Sequence, residues 1–427
     1  MNTGHVLLHR NSDDVAGNDT KLDVTIYNGR TNQLYAYVTA LDPDNGAYYV
    51  LYNGSDSSFF WKVKPDGNTS VPYYYTLEDT NYEIQLPPGE NTSLFLPSYA
   101  ASGRIYVAEE QLAFGTVGGG PNSGFVQPSV SNPGLSEYNI SFSFMEFTYL
   151  EGNFYADISS VDSVSVPLGI RVVSETGLTT TVYGLIPNAT ESVCEGLEKQ
   201  TLNDQYNWSK LCVRAGDKLI RVLSPSQYLA MNPTDNLSTY YDVYIEEVWE
   251  TFTTVDLRID TQDSSSSDPD GLSVENSTVV TCNISADEQL VCRRGNNDYI
   301  FGKPTTVQVF GCTQELGSPF HVNGSNIDRT QAEIVPRLCA AFQRSTLLIF
   351  HGQLQPNANV TAEQYYKVKH TNHYARLVHE NQYGGMGYAF PYDDTNPTGS
   401  DLDNATANAA GVIRDSNPKL LYLVVGK

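Results

Sequence analysis

Three acidic residues in one short segment have the types and spacing for acid–base chemistry. Glu146 lies in an aromatic run, and Asp157 and Asp162 follow on the next run. Hydrolysis of a glycosidic bond commonly requires two carboxyl groups, one as acid and one as base or nucleophile. Acids in such positions also cap turns or face solvent, so the spacing alone leaves both interpretations open.

The aromatic run around Glu146 is predicted to be a β-strand. Because side chains alternate along a strand, Phe142, Phe144 and Glu146 should share one face, together with Thr148. A carboxyl group in such a row would be desolvated, which favours its protonated form and suits a general acid. Asp157 and Asp162 are separated by 162 − 157 = 5 positions. They should therefore face opposite sides unless the chain bends between them.

The elements that must position these acids form β structure up to about residue 185. Short runs rich in Val, Ile, Tyr, Phe and Thr alternate with turn residues, which is the pattern of strands. Many strands at short spacing favour a sandwich or a barrel. The expected strands include Leu22–Tyr27, Leu34–Thr39, Tyr82–Leu86, Arg104–Ala108, Asn139–Leu150 and Val164–Val173.

From about residue 190 the pattern changes to a mixture of helices and strands, which predicts an α/β or α+β part. The expected helices are Glu191–Gln200, Ser238–Phe252, Thr330–Ser345 and Ala362–His379, with Pro336 as a candidate true start of the third. The expected strands here are Lys218–Val222, Thr305–Phe310 and the apolar tail Leu420–Val425.

The charge of the chain excludes several classes of partner. It has 427 residues with 25 Lys+Arg and 49 Asp+Glu, for a net charge of −24. Nucleic acids and anionic membrane surfaces require a basic footprint, so both are disfavoured. The sequence contains no apolar stretch long enough to span a bilayer. Only 17% of residues are charged, and the polarity comes from Asn, Ser, Thr and 29 Tyr. Such a surface suits neutral sugars.

Cysteine and sequon usage predicts an extracellular protein. Six cysteines without a CxxC pair argue against a zinc ribbon, and six permit 15 connectivities. We expect neighbours to pair, because that closes the shortest loops: Cys194 with Cys212, Cys282 with Cys292, and Cys312 with Cys339. Asn-x-Ser/Thr sequons are dense, which together with the cysteines indicates a secreted, glycosylated protein, expected to be fungal.

The segment MEFTYLEGNFYADISSVDSVSVP, residues 145–167, resembles the glutamate–aspartate core shared by thaumatin-like proteins and family 64 glycoside hydrolases, which are β-1,3-glucanases. Three further stretches are similar to the same family: GRIYVAEEQLAF (103–114), RLCAAFQRSTL (337–347) and NHYARLVHENQYGGMGYAFPYDD (372–394). The resemblance extends from about residue 20 to 427. It is closer to family 64 than to plant thaumatins, which are shorter and richer in cysteine.

The resemblance implies a mainly β fold with an α+β part. A thaumatin-like β-barrel or sandwich domain (1–188) and a mixed α/β domain (189–382) would form a wide groove. The C-terminal segment (383–427) would return to the β domain. The implied activity is inverting, endo-type cleavage of β-1,3-glucan into short oligosaccharides, typically the pentasaccharide.

Roles for individual residues follow from the same resemblance. Glu146 matches the general acid of the family and Asp162 its general base. The residues expected to bind substrate, or to tune the acids, are Thr148, Asn153, Tyr155, Asp157, Asp393 and Asp394.

Other functions compete with this one. A non-catalytic, thaumatin-like glucan-binding or defence protein would keep an acidic groove but lack a correctly spaced acid–base pair. A structural cell-wall glycoprotein would explain the sequons but not the acids. No metal or cofactor is expected, since His370, His373 and His379 lack the spacing of a helical zinc pair and are predicted to be structural. The chain is expected to act as a monomer.

Overall fold

The computed structural model describes residues 20–44, 46, 48–53, 58–62, 73–76, 82–117, 124–262, 278–312, 320, 329–397 and 409–426. The first strands are β1 (Leu22–Asn28), β2 (Leu34–Leu41), β3 (Tyr48–Asn53), β4 (Ser58–Lys62), β5 (Tyr73–Thr76), β6 (Ile84–Leu86), β7 (Asn91–Leu96) and β8 (Ala100–Ala108). They are followed by β9 (Ala113–Val117), β10 (Gly124–Val126), β11 (Phe142–Leu150), β12 (Asn153–Ile158), β13 (Ser163–Val164), β14 (Leu168–Ser174) and β15 (Thr179–Val182).

Helices and further strands alternate in the second half of the chain. The strands are β16 (Cys212–Ala215), β17 (Lys218–Leu223), β18 (Leu257–Asp260), β19 (Val279–Ile284), β20 (Leu290–Arg294), β21 (Asn297–Phe301), β22 (Leu354–Gln355), β23 (Ile413–Asp415) and β24 (Pro418–Val425). The α-helices are α1 (Ala189–Asp204), α2 (Pro225–Met231), α3 (Asp242–Thr251), α4 (Thr306–Gly311), α5 (Arg329–Arg344) and α6 (His373–Glu380).

Two large sheets form the β part of the molecule. A five-stranded sheet has the order β15-β14-β24-β1-β7, and an eight-stranded sheet has the order β23-β12-β11-β8-β2-β3-β4, with β6 beside β2. One apolar core joins their inner faces, with residues such as Ile26, Val38, Met145, Ile170 and Leu423. The described strands form open sheets and no closed barrel. The expected β fold is therefore realised as a sandwich.

Strand β11 of the eight-stranded sheet packs against apolar residues on both faces. In β11, Met145 and Phe147 pack into the sandwich core, whereas Phe142 and Phe144 pack into a second apolar cluster. The predicted face shared by Phe142, Phe144 and Glu146 is confirmed by this alternation. Glu146, the candidate acid of β11, therefore projects away from the sandwich core, toward the helical part.

The second cluster joins the outer face of this sheet to the helices. It contains β11 and β8 residues together with a group of buried aromatic side chains, namely Trp208, Tyr240, Tyr241, Tyr244 and Phe310. Its members come from both sides of residue 188, so the apolar core is continuous between the two parts of the chain.

The chain returns to the sandwich at its C-terminal end. The tail forms β24, which lies between β1 and β14, parallel to the first and antiparallel to the second. The predicted strand at Leu420–Val425 is thus confirmed. Strand β23 pairs with β12, beside the candidate acids.

Three predicted elements were wrong in part. Thr305–Phe310 is helical, because Thr305 and Gln308 form a capping box that starts α4. Helix α5 does not start at Pro336 but runs through it. Only the ends of Ala362–His379 are helical, since Tyr366 has a left-handed φ of 62°.

The disulfides join Cys194 to Cys212, Cys282 to Cys292 and Cys312 to Cys339, so the predicted pairing is confirmed. Among the helices of the described ranges, each is too short or too polar to cross a membrane.

Candidate active site

Three neighbouring strands bring one row of charged side chains together. In the pairing register, Glu146 of β11 stands opposite Arg104 of β8 on one side and opposite Asp157 of β12 on the other. Directly opposite residues have Cβ atoms about 4.5–5.5 Å apart, so the three side chains are immediate neighbours. The row lies on the outer face of the eight-stranded sheet.

Arg104 holds the Glu146 carboxylate. Its Nε and Nη2 atoms both lie 2.9 Å from Oε1 of Glu146, and its guanidinium lies 4.5 Å from the centre of the Phe144 ring. Burial alone would lower the pKa of Arg104, but the neighbouring Tyr106 hydroxyl and the Glu146 carboxylate raise it above its usual value. The Glu146 side chain is 37% exposed. The expectation of a desolvated Glu146 was therefore wrong, because its arginine partner keeps it at the surface of the cleft.

Asp157 is the desolvated acid of this site. It is 3% exposed, and its Oδ1 atom has no hydrogen-bond partner. Burial raises the pKa of Asp157 well above its usual value, and the charges of Glu146 and Asp394 raise it further, while Arg104 opposes them. Asp157 is therefore the carboxyl group most disposed to keep its proton.

Asp162 reaches the same site from a loop. The chain bends after β12, where Ser159 pairs with Tyr388 and Ser160 donates its amide to the Tyr388 carbonyl. Because of this bend, Asp157 and Asp162 need not face opposite sides, as they would in one straight strand. Asp162 is half-buried, and its Oδ1 accepts a 2.7 Å hydrogen bond from Nε2 of Gln227.

The charges of Glu146 and Asp162 both act on the buried Tyr106 hydroxyl. Burial raises the pKa of Tyr106 to about 12 against the opposing Arg104 charge, and the charges of both Glu146 and Asp162 contribute to the rise. The hydroxyl itself accepts a 3.3 Å hydrogen bond from Arg104 and donates to Gln127. Glu146 and Asp162 thus act electrostatically on one point of the cleft.

The adjacent residues Asp393 and Asp394 have different environments. The Asp393 carboxylate is fully buried and lies 3.0 Å from both Arg344 and His379. The Asp394 carboxylate accepts hydrogen bonds from Tyr388 at 3.0 Å and from Tyr155 at 3.5 Å. Of the two expected ligands, only Asp394 joins the acidic site, because the carboxylate of Asp393 is enclosed by its own partners.

The remaining predicted binding residues line one edge of the row. Thr148 and Tyr155 are cross-strand partners, and Asn153 is exposed at the end of the same hairpin. Burial and then the Asp394 charge raise the pKa of Tyr155 above its usual value. The predicted histidines lie elsewhere: His373 packs against Trp208 in the aromatic cluster.

Sequence reasoning missed four residues of this site. They are Arg104, Gln227, Tyr388 and Arg414, whose guanidinium lies 4.0 Å from Asp394. Arg104 could have been found from the sequence, because alternation in the predicted strand puts it on the same face as Tyr106. For the others, only long-range pairing brings them to the acids.

The site offers carboxyl, hydroxyl and amide groups close together on the outer face of the eight-stranded sheet, which suits proton transfer to and from a neutral polar substrate. Among the described residues, the one close group of three possible metal ligands is Cys194, Glu198 and Cys212, and its cysteines are joined in a disulfide. The acids of the cleft do not form such a group.

Comparison with known proteins is consistent across sequence and fold. The model of a glycoside hydrolase family described as β-1,3-glucanase matches residues 20–425. Glucan endo-1,3-β-glucosidases of Arthrobacter sp. (strain YCWD3) and Cellulosimicrobium cellulans are each 28% identical over 326 residues, which is 75% of this chain and 52% of theirs. The chain therefore spans about half the length of these relatives. Both are bacterial, so they give no support to a fungal origin.

Solved structures show the same fold. A laminaripentaose-producing β-1,3-glucanase in complex with laminaritetraose has a TM-score of 0.74 at 24% identity, covering 95% of this chain and 98% of that one. A family 64 β-1,3-glucanase domain from Clostridium beijerinckii has a TM-score of 0.68 at 18% identity, covering 96% and 99%.

Proposed function

The chain belongs to the β-1,3-glucanases of glycoside hydrolase family 64, and from this premise we propose that it is a secreted, inverting endo-β-1,3-glucanase. The observation that carries the proposal is the row of Arg104, Glu146 and Asp157 across three neighbouring strands, with Glu146 held by Arg104 beside a buried acid. Three disulfides support an extracellular location, since such bonds persist in oxidising compartments.

In this proposal Glu146 is the general acid and Asp162 the general base. Glu146 gives its proton to the glycosidic oxygen as the bond to C1 breaks. Asp162 takes a proton from a water molecule whose oxygen bonds to C1 from the opposite face. Inversion requires room for that water, with carboxyl groups about 6.5–9.5 Å apart.

Asp157 is the acidic neighbour of Glu146, the proposed proton donor. The two carboxyl groups face each other across adjacent strands, and two like charges so close are not readily ionised together. The effect is seen on Asp157, whose pKa is raised by its burial and then by the Glu146 charge. Arg104 keeps the Glu146 side chain in one orientation while that proton is delivered.

The substrate is proposed to be a β-1,3-glucan such as laminarin, curdlan or fungal wall glucan. Thr148, Asn153, Tyr155 and Asp394 would hydrogen-bond or stack with glucose units along the groove. The groove would lie between a thaumatin-like sandwich (1–188) and the mixed part (189–382), with 383–427 completing the sandwich. Products would be short oligosaccharides such as the pentasaccharide, and the enzyme would act as a monomer.

The test is hydrolysis of laminarin followed by NMR of the anomeric proton. We expect the α-anomer to appear first, because inversion of a β-linkage gives it. Glu146→Gln and Asp162→Asn should each lower kcat by about 10²–10⁴-fold, the usual contribution of an acid or base. Glu175→Gln, a surface acid at the end of β14, is the matched control and should keep full activity.

Each outcome has a distinct meaning. Early appearance of the β-anomer would contradict inversion. Activity that survives in both acid variants would overturn the site assignment. Binding of laminarin without any cleavage by the unmodified protein would favour the non-catalytic glucan-binding alternative.

A further inference from the structure

The Asp162 carboxylate is held by a residue outside the sheet. Gln227 of α2 donates from Nε2 to Oδ1 at 2.7 Å, and the Ser224 amide donates to the Asp162 carbonyl at 2.9 Å. Within the described ranges, no other side chain hydrogen-bonds this carboxylate. Among the same residues, its second oxygen, Oδ2, accepts no hydrogen bond.

The orientation of the Gln227 amide is determined by its two neighbours. A carboxylate only accepts hydrogen bonds, so Gln227 must present its NH₂ group to Asp162. The amide oxygen then faces Ser131, whose hydroxyl lies 2.7 Å away and donates to it. A flip of the amide would turn its oxygen toward the Asp162 carboxylate, and the hydrogen bond between them would be lost.

The backbone on both sides of Gln227 is fixed. The Ser224 hydroxyl caps α2 by accepting a 3.4 Å hydrogen bond from the backbone N–H of Gln227, and Pro225 occupies the first turn. The loop that carries Ser131 is held by buried Arg221, which donates to the carbonyls of Val130 at 3.1 Å and Tyr138 at 2.8 Å. The amide is thus supported from a helix and from a clamped loop.

Resting on the proposed role of Asp162 as general base, we propose that Gln227 is a positioning residue that holds Oδ1 so that Oδ2 receives the proton of the attacking water. The water oxygen bonds to C1, its proton moves to Oδ2, and the leaving oxygen takes the proton of Glu146. A neutral amide fixes the carboxylate without the charge-assisted hydrogen bond of an arginine, which would weaken it as a base.

The experiment compares laminarin hydrolysis by Gln227→Ala and Gln227→Glu with the unmodified enzyme from about pH 4 to about pH 8. Gln227→Ala should lose about 10–100-fold in kcat at every pH, with unchanged KM, because Gln227 touches the base and not the substrate. Gln227→Glu retains a donor only while its new carboxyl group is protonated. Its kcat relative to the unmodified enzyme should therefore fall at least about tenfold as the pH rises.

Asn232→Ala is the matched control, since the side-chain amide of Asn232, at the other end of α2, donates to the Tyr228 carbonyl and to no other described residue. It should keep the kcat and the pH profile of the unmodified enzyme. A pH-independent kcat ratio near one for Gln227→Glu would overturn the proposal. If Gln227→Ala fails to fold by circular dichroism, the nearly isosteric Gln227→Glu decides alone. Asp162→Asn distinguishes failure of the Gln227 proposal from failure of the proposed function. Activity retained in this variant would refute the assignment of Asp162 as general base.

Discussion

Two regions of the molecule bury an aspartate, with opposite consequences. Asp157, on the outer face of the eight-stranded sheet, is 3% exposed, and Asp393, in the turn after α6, is 0% exposed. Burial taken alone would raise the pKa of both carboxyl groups. Yet the pKa of Asp157 is raised well above its usual value, whereas that of Asp393 is lowered.

The difference lies in the neighbours. Asp393 lies 3.0 Å from His379 and from Arg344 and accepts the Ala389 amide at 2.9 Å, which together outweigh its burial. Asp157 has Glu146 and Asp394 nearby, and Arg104 is committed to Glu146. One region therefore surrounds a buried carboxylate with positive partners, and the other buries a carboxyl group among acids, which disfavours its ionised form.

Asp393→Asn should disrupt the buried ion pair with Arg344 and cause the largest loss of stability among these variants. It leaves the Arg344 charge buried without its partner, and loss of one member of a buried pair costs about 3–5 kcal/mol. Urea unfolding at neutral pH measures this loss. The control is Asp394→Asn, one residue further on with a 31% exposed side chain, for which we expect a loss below about 1 kcal/mol. Similar losses in both variants would refute the contrast.

The same region sets the acid sensitivity of the fold. Because the folded pKa of Asp393 lies below its unfolded value, its stabilisation is present above the unfolded pKa of about 3.9. It is lost as the pH falls through the folded pKa. The unfolding free energy of Asp393→Asn should therefore depend less on pH in this acid range than that of the unmodified protein.

Asp157→Asn should raise the unfolding free energy, whereas Asp393→Asn should lower it. The folded pKa of Asp157 is raised, so ionising it costs stability as the pH rises from the unfolded pKa through the folded pKa. Removing the charge should stabilise the protein by about 1 kcal/mol at neutral pH, the scale of an unsatisfied buried group. The gain should vanish below about pH 4, where the aspartate is protonated in both states. Urea unfolding at both pH values tests this, and a loss at neutral pH would contradict it.

The two aspartates show how far the sequence predicts the structure. The face of Glu146 was predictable, because it depends on alternation within one strand. The choice between Asp393 and Asp394 was not, since it depends on whether Arg344 and His379, or Tyr155, reach the turn. Such contacts join residues far apart in sequence.

Local capping gives a second example of this limit. The run 305–310 is rich in β-branched and aromatic residues, which favours a strand. The hydrogen bonds between Thr305 and Gln308 make it the helix α4 instead. Its Val309 and Phe310 side chains pack in the aromatic cluster, so tertiary burial reinforces the cap over intrinsic propensity.

Arg104→Lys should change stability least and should test whether this arginine serves the candidate site rather than the fold. The ion pair with Glu146 is about one-third exposed on each side, so solvent screening limits its worth to below about 1 kcal/mol. Lysine keeps the charge but loses the second N–H and the planar contact with Phe144, so Glu146 is held less firmly. We expect kcat on laminarin to fall about tenfold while the urea midpoint hardly moves. Arg171→Lys, which removes a comparable contact with Tyr422 on the other sheet, is the control and should leave kcat unchanged. An Arg104→Lys variant that lost stability but kept its kcat would mean that this arginine, like Arg344, serves the fold.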